Sequence, residues 1–277
     1  MSNHCISERF KLYETIAVGG YGVVSKAKSL RDEDKRIYAI KTIEHKNLSA
    51  TERMRIEVEI DICKIVRHQK IVQFYEPIRT TAKTYIVMEY VAGGDLFNAI
   101  DLNKNKPFKE DIVKNVMKQL LIAVEYLHEI DIIFRDLKPE NVLINEIPLT
   151  KNSSIKLCDF GLSVIKGKEP VTGALGSFYY IAPEALKVEP YTEKVDVWSL
   201  GVIGFALVEG FPPFCENDKE STLEKIRLHD FKYDFTIWIN VTMHCKSFVD
   251  SLLTADPQVR PSCTKALKHA WFTIEIK

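Results

Sequence analysis

"FRDLKPEN", residues 134–141, is the stretch on which the reading of this chain turns. It follows the apolar helical segment "VMKQLLIAVEYLHEIDII" and crowds Arg, Asp, Lys, Glu and Asn into one short loop behind Phe134. A solvated surface turn is the plain alternative, because charged residues between secondary elements are the norm. The flanking sequence weighs against it.

Downstream, "CDFGLS" (158–163) brings a second aspartate after the β-type run "SSIKL". Asn141 and Asp159 offer oxygen ligands of the kind magnesium takes while it keeps waters and shares phosphates. Asp136, five residues before Asn141, is then left as a base. Upstream, "IAVGGYGVVSKA" (16–27) sets glycines between two β-type segments, a hairpin whose turn lets backbone amides approach phosphate; a glycine that merely makes the turn is the alternative. Lys41, in "YAIK", lies on an otherwise apolar strand. Strand lysines usually face solvent, and the following helix supplies the test. Ile62, Cys63, Ile65 and Val66 mark its apolar face, and Glu59 lies three and four residues before Ile62 and Cys63, on that face, whereas Glu57 and Asp61 fall on the solvent side. A carboxylate on a buried stripe needs a cation, and Lys41 is the candidate.

With 277 residues, 46% of them hydrophobic, the chain can bury a full core. Lys plus Arg and Asp plus Glu number 38 each, so net charge gives no support for nucleic-acid binding. The six cysteines include no CxxC pair, which argues against a zinc site or a disulfide framework and fits a reducing, cytoplasmic compartment, with nuclear access open. No signal-like start and no apolar stretch long enough to span a bilayer are visible. "DLNKNKPFKEDI" from Asp101 mimics a calcium loop, but Lys106 and Ile112 stand where Gly and Glu are required. Up to about residue 92 short β-type runs dominate, with one helical segment near 50–66. Beyond it longer helical patterns take over, and "VDVWSLGVIGFALVEG" is apolar nearly all round, as a buried central helix would be. The expectation is a β-rich N-lobe (10–91) with one main helix and a mostly helical C-lobe (92–272), between short termini 1–9 and 273–277.

The motifs, taken in order, resemble the eukaryotic protein kinases. "GGYGVV", "YAIK", Glu59, "MEY", "RDLKPEN", "DFG", "APE", "DVWSLGV" and the late "RPS" run from about Phe10 to Phe272. "RDLKPEN" looks like the Ser/Thr form, and "GGDLF", "NSSIKLCDFGLS", "GSFYYIAPE", "EGFPPF" and "LKHAWF" are similar to the calcium/calmodulin-dependent group, including the calcium-dependent protein kinases. The resemblance implies a two-lobed α+β fold and transfer of phosphoryl from ATP, with magnesium, to Ser/Thr of protein substrates. It assigns Ile16, Ala17, Val18, Gly19, Gly20, Tyr21, Gly22, Val23 and Val24 to a loop over the nucleotide, and Lys41 to its α- and β-phosphates, held by Glu59. Met88 borders the adenine, Glu89 and Val91 offer backbone hydrogen bonds, and Val24, Ala39 and Leu143 sandwich the ring. Asp136 orients and deprotonates the substrate hydroxyl, Lys138 neutralises the transferring phosphoryl, and Asn141 and Asp159 hold magnesium. Asp95 reaches the ribose and a substrate arginine, with Glu140 as a second carboxylate; capping of the following helix is the alternative for Asp95. A monomer is implied, with a calcium sensor or calmodulin acting through segments outside this chain.

Other residues read as structural: Glu184 with Arg260, Asp196 capping catalytic-loop amides, and Trp198 and Trp271 in the core. Phe134 stands where the family usually has His or Tyr, and would keep the apolar stacking on Phe160 in a column with Cys63 and Phe74. Ala17 replaces the first loop glycine, which implies weaker nucleotide binding without loss. Cys158 is a small buried residue or a thiol at the rear of the pocket. Arg135 resembles cations that pair with a phosphate on the activation segment; Thr172 is the nearest acceptor, although Gly173 stands where phosphorylated relatives have threonine. Ala206 replaces a glutamate of some basophilic relatives, so a demand for a second upstream arginine is not expected. A pseudokinase scaffold or ATP-binding allosteric module is the alternative, and loss of Lys41, Asp136, Asn141 or Asp159 would signal it; all four are present.

Overall fold

The β-type runs that precede residue 92 become strands β1 (Phe10–Gly19), β2 (Gly22–Ser29), β3 (Ile37–Glu44), β4 (Phe74–Arg79) and β5 (Lys83–Glu89), with helix α1 (Ala50–Ile65) between β3 and β4. This is a computed structural model, and it describes residues 6–19, 22–31, 36–46, 48–103, 106–167, 170–173, 175–187 and 189–276. The chain divides into two compact units, Met1–Val91 and Ala92–Lys277.

In the first unit the strands form an antiparallel sheet in the order β1-β2-β3-β5-β4. The register decides which residues share a face. Val24 pairs with Lys41, Lys41 with Ile86 and Ala39 with Met88. Directly opposite residues, and residues two apart, lie on one face of a pleated sheet, so Val24, Ala39, Lys41 and Met88 project together. The alternate positions Tyr38, Ile40, Tyr85 and Val87 join Ile6, Phe10, Ala27 and Ile78 in a buried apolar cluster.

Helix α1 starts at a capping box. Ser49 Oγ accepts from the Glu52 amide at 3.2 Å, and Glu52 Oε2 accepts from the Ser49 amide at 2.8 Å. Ile56, Glu59, Ile60, Ile62 and Cys63 are its buried residues. Ile65, expected on that stripe, is instead 51% exposed. It is nine residues past Ile56, about 180° around a helix of 3.6 residues per turn, so it faces away from the stripe.

The second unit contains α2 (Leu96–Leu102), α3 (Glu110–Glu129), β6 (Ile132–Ile133), β7 (Val142–Ile144), β8 (Ile155–Leu157), β9 (Val164–Ile165), α4 (Lys194–Glu209), α5 (Lys219–Leu228), α6 (Phe235–Trp238), α7 (Met243–Leu252) and α8 (Cys263–Leu267). Every residue of α4 from Val195 to Glu209 is buried. α3 and α7 pack against it, and Gly201 leaves room for Leu253, whose side chain would lie 2.9 Å from any added Cβ. Trp198 and Trp271 are fully buried. Two short ladders position the loops 134–141 and 158–163: β6 pairs with β9 and β7 with β8. The loop from 134 to 141 leaves β6 and enters β7, while 158–163 leaves β8 and enters β9, so the pairing lays the two loops side by side. Among the described residues no helix is long and apolar enough to cross a membrane.

Candidate active site

The loop quoted at the outset is held from beneath by α4. Asp196, fully buried in its first turn, accepts the amides of Phe134 (2.9 Å) and Arg135 (2.8 Å) and meets His128 Nε2 at 2.9 Å. Arg135 takes a left-handed backbone, φ 68°. Non-glycine residues enter that region at a cost, and here fixed partners hold it: Asp196 at the amide and the Leu162 carbonyl, which accepts from Arg135 Nε at 2.7 Å.

Turned this way, the loop presents Asp136 to several donors at once. Its Oδ1 accepts from the Ser177 amide at 3.0 Å and from Ser177 Oγ at 3.3 Å. Its Oδ2 lies 2.9 Å from Lys138 Nζ and accepts from Asn141 Nδ2 at 3.1 Å. Lys138 Nζ also donates to Ser177 Oγ at 3.0 Å. Lys138, Asp136 and Ser177 thus form a closed polar triangle. Asn141 Nδ2 donates as well to the Asp136 carbonyl at 2.8 Å. With its nitrogen so engaged, the side-chain oxygen of Asn141 faces the other way as an acceptor.

Asp159 is exposed at the mouth of the neighbouring loop with φ 68°, and its Oδ1 accepts from the Gly161 amide at 3.2 Å. Asn141 and Asp159 are a pair of hard oxygen donors, the set that suits magnesium. Phe134 is fully buried and meets Phe160 edge to face, ring centroids 5.5 Å apart at 74°. The loops are tied again by Ser163 Oγ donating to the Phe134 carbonyl (3.1 Å) and by the Cys158 amide to the Asn141 carbonyl (2.9 Å). Cys158 Sγ is half-buried and donates to that same carbonyl at 3.4 Å.

Asp95 N-caps α2, accepting from the Asn98 amide at 2.8 Å and Asn98 Nδ2 at 2.9 Å, and it bridges to Leu143 on β7. Glu140 is exposed in the one-turn helix Pro139–Asn141. Glu184 and Arg260 form a bidentate pair at 2.6 and 3.0 Å, with Arg260 only 1% exposed. Burial holds the Tyr180 phenol well above its ordinary pKa, so it stays protonated beside this segment.

In the first unit, Lys41 Nζ lies 2.6 Å from Glu59 Oε1, both side chains buried. Cys63 and Phe74 are buried there too. Ile16, Ala17, Val18 and Gly19 end β1, and Gly22, Val23 and Val24 begin β2, with Gly19 opposite Gly22. Gly20 and Tyr21 lie outside the described residues. A side chain at Gly22 would run into the Thr42 carbonyl, so part of the demand for glycine comes from the sheet itself. Met88 and Glu89 end β5. The Glu89 amide is engaged by the Gln73 carbonyl at 2.8 Å, and Val91 is the last residue of the unit.

Ser177 and Gly176 escaped the sequence reading. Gly176 has φ 99°, and a Cβ there would sit 2.6 Å from the Arg135 carbonyl, so only glycine lets the segment press onto the catalytic loop and deliver Ser177. The small pair "GS" at the head of "GSFYYIAPE" is the local trace of this close approach, and it does not name the partner.

Comparison with known proteins accounts for this arrangement. A family model described as "Protein kinase domain" matches residues 10–272, and the chain belongs to that family. It is 34% identical over 268 residues to calcium/calmodulin-dependent protein kinase type 1 of Caenorhabditis briggsae, covering 97% of this chain and 74% of that protein. Against the Caenorhabditis elegans kinase of the same description the identity is 34% over 271 residues, covering 98% and 76%. Within the family, then, it is a serine/threonine protein kinase resembling the calcium/calmodulin-dependent group.

Proposed function

We propose that this kinase transfers the γ-phosphoryl of ATP to Ser and Thr hydroxyls of proteins, with Asp136 as the base. The observation that carries the reading is the Asp136 carboxylate, steadied by Ser177, Lys138 and Asn141 together. Asp136 takes the hydroxyl proton as the substrate oxygen attacks the γ-phosphorus; the bond to the bridging oxygen breaks and ADP leaves. Lys138 offsets the charge spread over the transferring group. Asn141 and Asp159 would hold magnesium, which when bound supplies charge neutralisation on the phosphates. Lys41, fixed by Glu59, takes the α- and β-phosphates, and residues 16 to 24 cover them. For the adenine the first unit offers Met88 at its border, backbone groups of Glu89 and Val91 for its edge, and Val24 and Ala39 for its face; Leu143, on β7 of the second unit, is a further candidate for the ring.

Substrates with arginine three positions before the acceptor suit Asp95, with Glu140 beside it. A carboxylate accepts several hydrogen bonds, so the two bonds that cap α2 leave Asp95 able to meet a guanidinium. The relatives' description as calcium/calmodulin-dependent supports control by a calcium sensor or calmodulin through segments outside this chain. We read the protein as a cytoplasmic monomer.

The test is phosphoryl transfer from ATP and magnesium to a Ser/Thr peptide library. Turnover of about 1–100 per second is expected in the active state, and Asp136→Asn should lower it by about 10²–10⁴-fold. Equal turnover in Asp136→Asn overturns the assignment.

A further inference from the structure

Thr172, the acceptor that the sequence offers for a phosphate on the activation segment, lies in a stretch that is already tied down on both sides. Tyr191, 8% exposed, donates its amide to the Val171 carbonyl at 3.0 Å and its hydroxyl to the Gly173 carbonyl at 2.9 Å. These bonds bracket Thr172, whose own side is exposed. Gly173 has φ 95°, a conformation that a β-branched threonine adopts only under strain, so the loop as folded disfavours the threonine that phosphorylated relatives carry there.

The same short stretch before α4 holds the segment further back. Glu193 accepts from Lys166 Nζ at 3.1 Å, and the Lys166 amide donates to the Asp131 carbonyl at 2.7 Å. Asp196, three residues beyond Glu193, holds the catalytic-loop amides. The head of one fully buried helix thereby carries both the catalytic loop and the activation segment. Past Gly173 the chain arrives at Gly176 and Ser177, which seat on Arg135 and Asp136.

We propose that Tyr191 is a positioning residue: its hydroxyl clamps the activation segment beside Thr172, so that peptide docking does not require a phosphate on that threonine. The proposal rests on the kinase reading above. A neutral tyrosine bond replaces the cation–phosphate pair as the tie at this point, and the device is permanently engaged.

Protein as purified and protein treated with a phosphatase, the state of Thr172 read by mass spectrometry in each, are compared with Thr172→Ala and Tyr191→Phe; loss of activity on phosphatase treatment alone overturns the proposal. Thr172→Ala should keep kcat/KM within about twofold, and Tyr191→Phe, which deletes one hydroxyl, should raise the peptide KM about three- to tenfold with kcat changed by less than about twofold. Amide hydrogen exchange over 171–177 should quicken in Tyr191→Phe only. The proposal is overturned if Thr172→Ala loses about tenfold or more in kcat/KM, or if Tyr191→Phe matches the wild type in KM and exchange. A wild type that phosphorylates no peptide would sink the kinase reading instead; exchange then decides the clamp by itself, and unaltered protection in Tyr191→Phe overturns it.

Discussion

Lys41 Nζ lies 2.6 Å from Glu59 Oε1, and both side chains are withdrawn from water. Removing one partner of a buried pair costs far more than the pair is worth, since it strips a charge of its main compensation. Glu59→Ala should therefore destabilise the protein by about 3–5 kcal/mol, read as a lower urea midpoint, and weaken ATP binding as well. Glu59→Gln keeps an acceptor and should lose less than half as much. An unmoved midpoint in Glu59→Ala would show that Lys41 finds equal compensation elsewhere.

That pair was legible in the sequence because helix arithmetic placed Glu59 on the buried stripe, and burial chemistry then demanded a cation. Ile65 departs because hydrophobicity alone points it inward, whereas the same arithmetic counted from Ile56 turns it outward. Asp196 and the Glu184–Arg260 pair were legible by a different route, through the motifs "DVWSLGV", "APE" and "RPS" that resemble the protein kinases. Ser177 and Tyr191 were not. Their partners are an aspartate 41 residues away and carbonyls 18 and 20 residues away, and nothing local in "GSF" or "PYT" encodes such a meeting. The clash that a side chain at Gly22 would make with Thr42 is likewise a product of strand register, invisible until β2 and β3 are paired.

Ser177 offers a clean measurement. Its hydroxyl lies between Lys138 and Asp136, so Ser177→Ala removes a bridge between two charged groups without opening a buried cavity. A bond to charged partners is worth about 1.5–3 kcal/mol, which corresponds to a loss in kcat of about ten- to a hundredfold. The thermal midpoint should hold, and Ser177→Thr should restore most of the rate. Wild-type kcat in Ser177→Ala would remove the residue from the catalytic arrangement.

Phe134 carries the departure at the head of the catalytic loop. It is fully buried with its ring edge to face on Phe160. Phe134→Ala opens a cavity and should cost about 3–5 kcal/mol. Phe134→Tyr keeps the ring and adds a hydroxyl, so its penalty tells whether the site can satisfy a polar atom: below about 1 kcal/mol it can, above about 2 kcal/mol the apolar ring is required. Chemical denaturation of the three proteins decides.

Arg260 is nearly inaccessible, and besides Glu184 it donates to the carbonyls of Lys194, Thr254 and Ala255. Those bonds satisfy its hydrogens but not its charge. Glu184→Ala should cost about 3–5 kcal/mol, while leucine at both positions should recover part of that loss, because a buried pair replaced by apolar groups is often close to neutral. If Glu184→Ala unfolds at the wild-type midpoint, the guanidinium is being neutralised by some other route.

Asp95 has two roles to be separated, and the choice of substitution does it. Its carboxylate caps α2 through Asn98, and asparagine caps a helix about as well as aspartate does. Asp95→Asn therefore keeps the cap and deletes the charge, whereas Asp95→Ala deletes both. A substrate guanidinium reads the charge and not the cap. In a positional peptide scan the wild type should favour arginine three residues before the acceptor, and Asp95→Asn should lose about tenfold of that preference at unaltered thermal stability. Asp95→Ala should lose the same preference and about 1 kcal/mol of stability in addition. A scan in which Asp95→Asn selects arginine as strongly as the wild type would leave Asp95 as a helix cap and move the search for the arginine partner to Glu140.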